Sequence, residues 1–485
     1  CQGFARHKNE HAPAWQPLCV ICVAKGAAAM LSVLSHARKN ITYIRTDYTT
    51  LLRMTITELY QIFRKYPVIT TDTRNCPPDS IFFALKGETF NGNRFALQAL
   101  EKGCRYAVVD ELVGCDEPDS RIIKTDDVLT TLQQLAHHHR KQLGTRIIGI
   151  TGTNGKTTTK ELIAAVLAEK YNVLYTQGNL NNHIGVPKTL LQLTAEHDIA
   201  VIEMGANHPG EIKTLVDIVE PDCGLITNVG RAHLGGFGSF EGVKATKGEL
   251  YDDLKARGKF IFLNAQDDDL RQMAAERGFC TSDAPHCKPY AEGRVSACAP
   301  FVEFRWRADE AQPWHTVSTH LVGAYNLANL RAAVTVGLHF GVPASDIEDA
   351  LAAYVPTNSR SEWRNTDRNR LLVDAYNANP ASMAAALDNF DLIEGENKMV
   401  ILGDMRELGA DSQKEHQRIV ARLEQMQLQE VWLVGSEFAA TRHPFRSFAN
   451  VEEVKQELAQ RPLSGRTILI KGSNGIRLQQ LPELL

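Results

Sequence analysis

A chain of 485 residues can hold several hydrophobic cores, and a usual domain size of about 100–200 residues predicts about three domains. Hydrophobic residues make up 44% of the chain and charged residues 23%, which is the composition of a soluble globular protein. The net charge of −4 gives no electrostatic argument for nucleic-acid binding. No basic tail, acidic block or internal repeat stands out.

The ten cysteines are scattered along the chain. Cys19 and Cys22 form a Cys-x-x-Cys pair, but no second pair completes a four-ligand zinc site. We therefore interpret the cysteines as reduced thiols of a cytoplasmic protein. The apolar run from Leu18 to Leu34 is short for a membrane span and is interrupted by a lysine and a glycine. A signal peptide is the alternative interpretation of this run.

Residues 1–53 differ from the rest because they carry clustered histidines and cysteines without a sustained hydrophobic period. Met54 is followed by an amphipathic stretch that reaches Phe63, for which Thr55 or Thr57 would be the N-cap of a helix. We expect Met54 to be the natural beginning, and residues 1–53 to be a non-native or disordered extension.

Residues 54–143 are predicted to form a small α/β domain. The pattern indicates a strand at Ile81–Leu85, a helix at Ala96–Lys102 and a strand at Tyr106–Val109. Four polar residues lie next to glycine turns in this segment: Asp72, Arg74, Lys86 and Asn91. They fit either a small-ligand site or an ordinary loop surface.

A phosphate-binding loop is predicted between a strand at Ile147–Ile150 and a helix at Glu161–Ala168. The candidate nucleotide-binding residues of this loop are Gly152, Thr153, Asn154, Gly155, Lys156, Thr157 and Thr158. Glycines let backbone N–H groups point at phosphate oxygens, and the lysine can reach the β- and γ-phosphates. The threonine that follows the lysine would hold Mg²⁺.

The segment that follows alternates strands and helices, as a parallel sheet requires. Ligands bind at the carboxyl ends of parallel strands, so Glu203 at the end of a buried strand is placed to bind Mg²⁺. His233 follows the next predicted strand, Cys223–Val229, and we expect it to bind metal too. Asn326 and Asn329 share one helix face; two such amides can read a purine edge or cap and bridge a loop.

The last segment, residues 357–485, again alternates strands and helices after a break at Pro356–Arg360. We therefore predict domains at 54–143, 144–356 and 357–485, all of the α/β class. Asp374, Asp404 and Lys471 all lie at predicted strand ends of the last domain.

Six motifs in combination give the chain a family resemblance. They are Thr151–Thr158, Gly178–Pro187, Glu203–Ile212, Asn228–Leu234, Asp374–Pro380 and Gly403–Gly409. With these motifs the chain resembles the Mur ligases, the ATP-dependent amide-bond ligases of bacterial cell-wall precursor synthesis. The motifs after the first point to members that add D-alanyl-D-alanine to UDP-N-acetylmuramoyl-tripeptide. One departure is Pro356–Arg360, where many members have Pro-Gly-Arg, and Arg360 is taken as the equivalent arginine.

The resemblance implies three domains, namely a small α/β UDP-binding domain, a central P-loop ATPase domain with a mostly parallel sheet and a C-terminal Rossmann-like domain. It also implies ATP and Mg²⁺, an acyl-phosphate intermediate, a cytoplasmic location and a monomer. Closure of the last domain is expected to precede the chemistry.

The resemblance also implies roles for particular residues. Lys156 would clamp the phosphates, and Thr157, Glu203, His233 and a carbamylated Lys247 would support Mg²⁺, with Lys244 as the alternative lysine. The expected adenine and last-domain ATP contacts are Asn326, Asn329, Arg360 and Asp374. The expected substrate contacts are Asp72, Thr73, Arg74, Lys86 and Gly87 for the UDP-sugar, Asn181 and Asn182 for the muramoyl-peptide arm, and Asn377, Asn379 and Lys471 for the dipeptide.

Two other functions fit parts of this pattern. One is another ligase of the same family, such as a tripeptide synthetase or a folylpolyglutamate-type enzyme. The other is a nucleotide-dependent switch without ligase chemistry. Guanine-specific switches usually carry Asn-Lys-x-Asp, and the nearest match here, which begins at Asn397, lacks the aspartate.

Overall fold

The computed structural model describes residues 54–113, 119–230, 234–279, 286–395, 397–406 and 408–485. The expectations for residues 1–53, for the Cys19–Cys22 pair and for His233 lie outside these residues. Five cysteines lie within them, and all five are free thiols. Within the described ranges, every helix is too short or too polar to cross a bilayer.

The first group of elements surrounds a four-stranded sheet. Its elements are α1 (Ile56–Lys65), β1 (Ile69–Thr70), β2 (Ile81–Phe83), β3 (Lys86–Gly87), β4 (Phe90–Asn91), α2 (Ala96–Glu101), β5 (Tyr106–Val109), β6 (Ile122–Lys124) and α3 (Val128–Leu143). The sheet is parallel with the order β1-β2-β5-β6, and β3 and β4 form a separate antiparallel pair. α1 begins at Ile56, so Thr55 takes the position before the first helical residue.

The second group contains a six-stranded parallel sheet. Its elements are β7 (Arg146–Thr151), α4 (Lys156–Ala168), β8 (Val173–Tyr175), α5 (Gly185–Leu190), β9 (Ile199–Glu203), α6 (Glu211–Val219), β10 (Cys223–Ile226), α7 (Leu234–Phe237), α8 (Phe240–Ala256), β11 (Phe260–Leu263), α9 (Asp268–Glu276) and β12 (Cys287–Pro289). The strand order is β12-β11-β10-β7-β9-β8. β7 lies between β9 and β10, with Ile150 paired to Glu203 and Thr151 paired to Ile226. The loop after β7 is therefore flanked by the ends of both neighbouring strands.

A three-stranded antiparallel sheet, which the sequence analysis did not predict, packs against this group. It comprises β13 (Glu292–Cys298), β14 (Phe301–Arg307) and β15 (His315–Val322), followed by α10 (Leu327–His339) and α11 (Ala344–Ala353). Along β14, Val302, Phe304 and Trp306 are buried and alternate with partly exposed residues. The buried face shares one core with α4 and the parallel sheet, which explains the alternation.

The last group forms a second six-stranded sheet. Its elements are β16 (Glu362–Asn365), β17 (Asn369–Asp374), α12 (Pro380–Leu392), β18 (Lys398–Gly403), α13 (Ser412–Leu423), β19 (Glu430–Val434), α14 (Ser436–Ala439), β20 (Arg446–Phe448), α15 (Val451–Gln460) and β21 (Arg466–Lys471). The order is β16-β17-β21-β18-β19-β20, with β16 antiparallel to its neighbour and the other pairs parallel. Apolar clusters cover both faces of this sheet.

The α/β class with mostly parallel sheets is confirmed. Several predicted boundaries differ from the structure by one or two residues, and two differ by more. The helix after the phosphate loop begins at Lys156 and not at Glu161, because its first turn consists of polar loop residues without an apolar period. β10 ends at Ile226 and not at Val229, because Thr227 and Asn228 turn toward the phosphate loop.

Candidate active site

Two glycines give the loop between β7 and α4 its shape. Gly152 has φ 146° and Gly155 has φ 78°, conformations that L side chains rarely adopt. A Cβ atom at Gly152 would lie 2.0 Å from Thr227 Oγ1, and one at Gly155 would lie 2.7 Å from Asn329 Oδ1. The loop therefore approaches its neighbours at distances that only glycine permits, and α4 starts directly from it.

The end of β10 holds this loop in place. Asn228 accepts hydrogen bonds from the Asn154 N–H through its side chain and from the Thr153 N–H through its backbone, both at 3.0 Å. The Thr227 hydroxyl donates to the Asn154 carbonyl at 2.6 Å. These contacts fix the loop before any ligand binds, which lowers the cost of ordering it around a phosphate.

Lys156 folds back over the loop. Its Nζ donates to the carbonyls of Gly152 and Thr153 at 2.8 and 2.9 Å. The surrounding protein strips water from the ammonium group and lowers the pKa of Lys156 to about 8, while Glu203 opposes and Arg360 adds to the lowering. Because neutral carbonyls accept its hydrogen bonds, the ammonium group can exchange them for stronger bonds to an anion.

Thr157 and Glu203 are joined at the ends of α4 and β9. The Thr157 hydroxyl donates to Glu203 Oε2 at 3.0 Å, and the Asn181 amide donates to Glu203 Oε1 at 2.8 Å. Thr157 and Glu203 are both buried. Hydroxyl and carboxylate oxygens are ligands that Mg²⁺ prefers, and Mg²⁺ usually takes only one or two carboxylates beside substrate phosphates. No cluster of three or more His, Cys, Asp or Glu side chains suited to a metal occurs in the described residues.

The two candidate lysines of α8 differ in their surroundings. Lys247 is 2% exposed, donates to the Ala206 carbonyl at 3.3 Å and lies over the Phe237 ring. Burial, with the Lys156 charge as a smaller cause, lowers its pKa to about 7. Lys244 forms a 2.6 Å ion pair with Asp269, which raises its pKa.

Asn326 and Asn329 form a chain of hydrogen bonds below the phosphate loop. Thr159 Oγ1 donates to Asn329 Oδ1 at 3.0 Å, and Asn329 Nδ2 donates to Asn326 Oδ1 at 2.8 Å. Asn326 Nδ2 donates to the Val322 carbonyl at 3.0 Å. The amides therefore link α10 to α4, and both also line the main cavity of the site.

Asn181 and Asn182 lie before α5 and have different partners. Asn181 bonds to Glu203, whereas the Asn182 side chain accepts from the Gly185 N–H at 2.8 Å at the start of α5.

The last sheet contributes polar side chains from its strand ends. Asp374 and Lys471 are paired in register on β17 and β21, with 2.5 Å between Oδ2 and Nζ. Lys471 also donates to the Asn377 carbonyl at 3.3 Å. The Arg360 guanidinium lies over the Tyr376 ring, 3.9 Å from its centroid.

A cavity of about 780 Å³ joins the central and last groups of elements. The predicted site residues that line it are Thr153, Asn154, Gly155, Lys156, Thr158, Asn181, Asn182, Glu203, Asn326, Asn329, Arg360, Asp374, Asn377, Asn379 and Lys471. Thr157 lines an adjoining cavity of about 470 Å³ that shares Arg360 and Tyr376 with the first. The structure thus brings most of the predicted nucleotide and dipeptide residues to one place.

The residues predicted for the UDP-sugar belong to the first group of elements and do not line this cavity. Asp72 and Arg74 pair with each other at 2.7 Å, and Arg74 holds the pKa of Asp72 at about 2. The Thr73 carbonyl accepts from Lys102 at 2.8 Å. Lys86, beside Gly87 on β3, pairs with Asp110 and Glu111.

Sequence reasoning missed several residues that shape the site. They are Tyr325, Ser361 and Tyr376, which line the cavity, and Thr227 and Asn228, which hold the loop. The motifs Asn228–Leu234 and Asp374–Pro380 were a usable signal for Asn228 and for Tyr376. Thr227, Tyr325 and Ser361 have no local pattern that marks them.

The chain matches known families and structures over most of its length. The Mur ligase middle domain family matches residues 150–337, and the family described as Mur ligase, glutamate ligase domain matches residues 359–474. The structure of MurF from Acinetobacter baumannii is 30% identical with a TM-score of 0.74, covering 85% of this chain and 92% of that one. MurF ligase from Thermotoga maritima in complex with ADP has the same fold, with 24% identity, a TM-score of 0.74 and coverage of 86% and 96%.

Two relatives carry the name UDP-N-acetylmuramoyl-tripeptide–D-alanyl-D-alanine ligase. The one from Bacillus subtilis is 35% identical over 424 residues, which is 85% of this chain and 92% of the relative. The one from Escherichia coli is 34% identical over 429 residues, with coverage of 86% and 93%. The chain therefore belongs to the Mur ligase family.

Proposed function

We propose that this protein is an ATP-dependent ligase that joins D-alanyl-D-alanine to UDP-N-acetylmuramoyl-tripeptide. The observation that carries the proposal is the convergence of the phosphate loop, Glu203, Arg360 and Lys471 on one cavity, with Thr157 bonded to Glu203 from the adjoining cavity. Relatives of that name at 35% and 34% identity, matched over more than nine-tenths of their length, support the choice of substrates.

The reaction must bring a carboxylate against a triphosphate. The carboxylate oxygen of the tripeptide attacks the γ-phosphorus of ATP, the bond to ADP breaks, and an acyl phosphate forms. The amine of D-alanyl-D-alanine then attacks the acyl carbon, loses a proton, and displaces phosphate to leave the amide. Lys156 and Arg360 place positive charge where the two anions meet, so repulsion between them falls.

The residues at the carboxyl end of β9 suit Mg²⁺. Thr157 and Glu203 would hold the ion through a hydroxyl and a carboxylate, and Asn181 orients the carboxylate from its other oxygen. When bound, Mg²⁺ supplies positive charge that neutralises the transferring phosphoryl group. His233 is proposed to support a second ion.

Lys247 is proposed to carry a carbamate. The lysine ammonium first loses one proton, and the neutral amine then attacks CO₂, forms the N–C bond and releases a second proton. The cation thereby becomes an anion that can support Mg²⁺. Because burial lowers its pKa to about 7, a large fraction of Lys247 is neutral near neutral pH. The ion pair of Lys244 with Asp269 keeps that lysine protonated and makes it the weaker candidate.

The remaining contacts follow the division into sheets. We propose domains at 54–143, 144–356 and 357–485, with the UDP-sugar bound by Asp72–Arg74 and Lys86–Gly87 on the first. Asn326 and Asn329 would bind adenine, and Asp374 would contact the nucleotide from the last domain. Asn182 would face the peptide arm. Asn377, Asn379 and Lys471 would contact the dipeptide. We also propose a cytoplasmic monomer.

A phosphate-release assay tests this function. Purified protein is mixed with ATP, Mg²⁺ and UDP-N-acetylmuramoyl-tripeptide, with and without D-alanyl-D-alanine, using tripeptides that end in lysine or in diaminopimelate. We expect continuous turnover only with both substrates. Release without the dipeptide would indicate a nucleotide switch, and turnover only with a single amino acid would indicate another ligase of the family. The Lys156→Ala protein, purified in the same way, controls for contaminating ATPase activity.

A further inference from the structure

Glu161 ties the segment before the last sheet to the helix of the phosphate loop. It lies on α4, the helix that starts at Lys156. The Tyr354 hydroxyl donates to Glu161 Oε2 at 2.6 Å, and Asn358 Nδ2 donates to the same oxygen at 2.7 Å. One carboxylate oxygen therefore holds both ends of residues 354–358.

The surroundings keep this carboxylate a strong acceptor. The buried Lys160 ammonium lies 3.4 Å from Glu161 Oε1, while its main hydrogen bond goes to the Thr176 carbonyl at 2.6 Å. Burial and the Glu161 charge raise the pKa of Tyr354, so its hydroxyl stays protonated and donates. Hydrogen bonds to a charged acceptor are stronger than those between neutral groups.

The segment then presents Arg360 between two serines in left-handed conformations. Ser359 has φ 55° and Ser361 has φ 51°. Such values are rare for residues other than glycine and persist where neighbouring contacts impose them. The Ser361 and Tyr325 hydroxyls are 2.6 Å apart, and the Ser359 N–H donates to Glu362 at 3.1 Å. The backbone on both sides of Arg360 is thus held in a strained form.

This arrangement brings two cations together. Arg360 and Lys156 line the same cavity, and the charge of Arg360 lowers the pKa of Lys156. Two positive groups repel each other, so they stay near each other only where an anion lies between them or where other contacts oppose their separation. The Tyr376 ring under the guanidinium and the hydrogen bonds to Glu161 are such contacts.

We infer that Glu161 is a positioning residue that, through Tyr354 and Asn358, holds Arg360 against the phosphate loop. The inference rests on the proposed ligase function but assigns a role to residues that the proposed mechanism does not use. A purely structural link between α4 and the segment at 354–358 would stabilise the fold without acting through Arg360, and the two roles differ in a measurable way.

A double-mutant cycle in the two-substrate assay separates them. We expect Glu161→Gln to lower kcat at least about tenfold, because a displacement of about 1 Å in a clamp can cost up to about a hundredfold. KM for the UDP-substrate and for the dipeptide should stay unchanged. In an Arg360→Ala background the same substitution should change kcat less than about twofold, since residues that act as a unit are not additive. A tenfold loss in both backgrounds overturns the inference.

Two further variants complete the test. Glu169→Gln, an exposed glutamate just after the last residue of the same helix, should leave kcat unchanged. Tyr354→Phe removes one hydrogen-bond donor to Glu161 while keeping the ring. If the Glu161→Gln protein does not fold, Tyr354→Phe takes its place in the double-mutant cycle. Wild-type protein without turnover would refute the proposed function, whereas wild-type turnover with an additive cycle refutes only the role of Glu161.

Discussion

The side chain of Asn379 donates a hydrogen bond to the side chain of Asn154, with 2.7 Å between Nδ2 and Oδ1. The two residues are 225 positions apart in the chain. Asn154 belongs to the phosphate loop, and Asn379 precedes the first residue of α12 in the last group of elements. The nucleotide loop and the proposed dipeptide side are therefore in direct contact.

We expect Asn379→Ser to lower kcat about fivefold with little change in the melting temperature. Serine is too short to reach Asn154, and one neutral hydrogen bond is worth about 1 kcal/mol. Serine still caps α12, where Asn379 now accepts from the Ser382 N–H. Steady-state kinetics and a thermal melt measure the two effects. A lower melting temperature with normal kcat would show that the contact serves only stability.

Lys156→Ala should abolish ligation while leaving affinity for the UDP-substrate unchanged within about twofold. Removing a cation aimed at transferred charge costs about a hundredfold or more in rate. The UDP-substrate contacts are proposed on a different sheet, so calorimetric titration with that substrate should be unaffected. Lys455→Ala, which removes an exposed ion pair with Glu452, is the matched control. Equal loss of turnover and UDP-substrate affinity would contradict this division of roles.

The phosphate loop could be predicted because its signals are local. A strand, glycines, a lysine and a helix occur within about twenty residues, and each has a known role in binding phosphate. That the ends of β9 and β10 lie beside this loop was also predictable, because parallel strands bring their carboxyl ends to one edge, although β10 ends at Ile226 and not at Val229 as predicted. Glu203 and the loop accordingly lie together in the structure.

The remainder of the site depends on contacts between distant segments. Tyr376 supports Arg360 only because β17 and the preceding segment meet, and Glu161 meets Tyr354 across 193 positions. No period or motif marks such pairs. The antiparallel sheet was missed although Phe301–Arg307 alternates over 7 residues, which was a usable signal for a strand with one buried face.

Lys247→Ala should lose activity and regain part of it when short carboxylic acids such as acetate or formate are added. An added acid can occupy the space of the missing side chain and restore the negative charge that the carbamate provides. The measurement is kcat against acid concentration at constant ionic strength. Lys244→Ala, which breaks the partly buried ion pair with Asp269, should stay active without added acid. Failure of every acid to restore Lys247→Ala would argue against a carbamate.

The pKa of Lys247 also predicts how stability depends on pH. In CO₂-free buffer the unfolded chain takes up a proton at this lysine below the ordinary pKa of 10.5, but the folded chain does so only below about 7. The unfolded state binds more protons in that window, so the free energy of unfolding falls as the pH decreases from about 10.5 to 7 and levels off below 7. Lys247→Met should have a shallower slope, because only the contribution of Lys156, whose pKa is lowered to about 8, then remains of the two lysines. Denaturant unfolding of both proteins at pH 7, 8.5 and 10 measures it, and parallel curves would show that the lysine is not desolvated.

Thr157→Val and Thr157→Ser form a matched pair that tests the proposed Mg²⁺ site. Thr157 is buried and its hydroxyl donates to Glu203. Valine has nearly the same shape without the oxygen, so we expect the Mg²⁺ concentration for half-maximal activity to rise at least about tenfold, as loss of a ligand or its support usually costs about 10- to 100-fold in affinity. Serine keeps the oxygen and should stay within about threefold of wild type. Serine lacks the methyl group, so an effect of side-chain shape alone would affect the serine variant at least as strongly as the valine variant. Equal Mg²⁺ dependence of the two variants would therefore show that Thr157 is not part of the metal site.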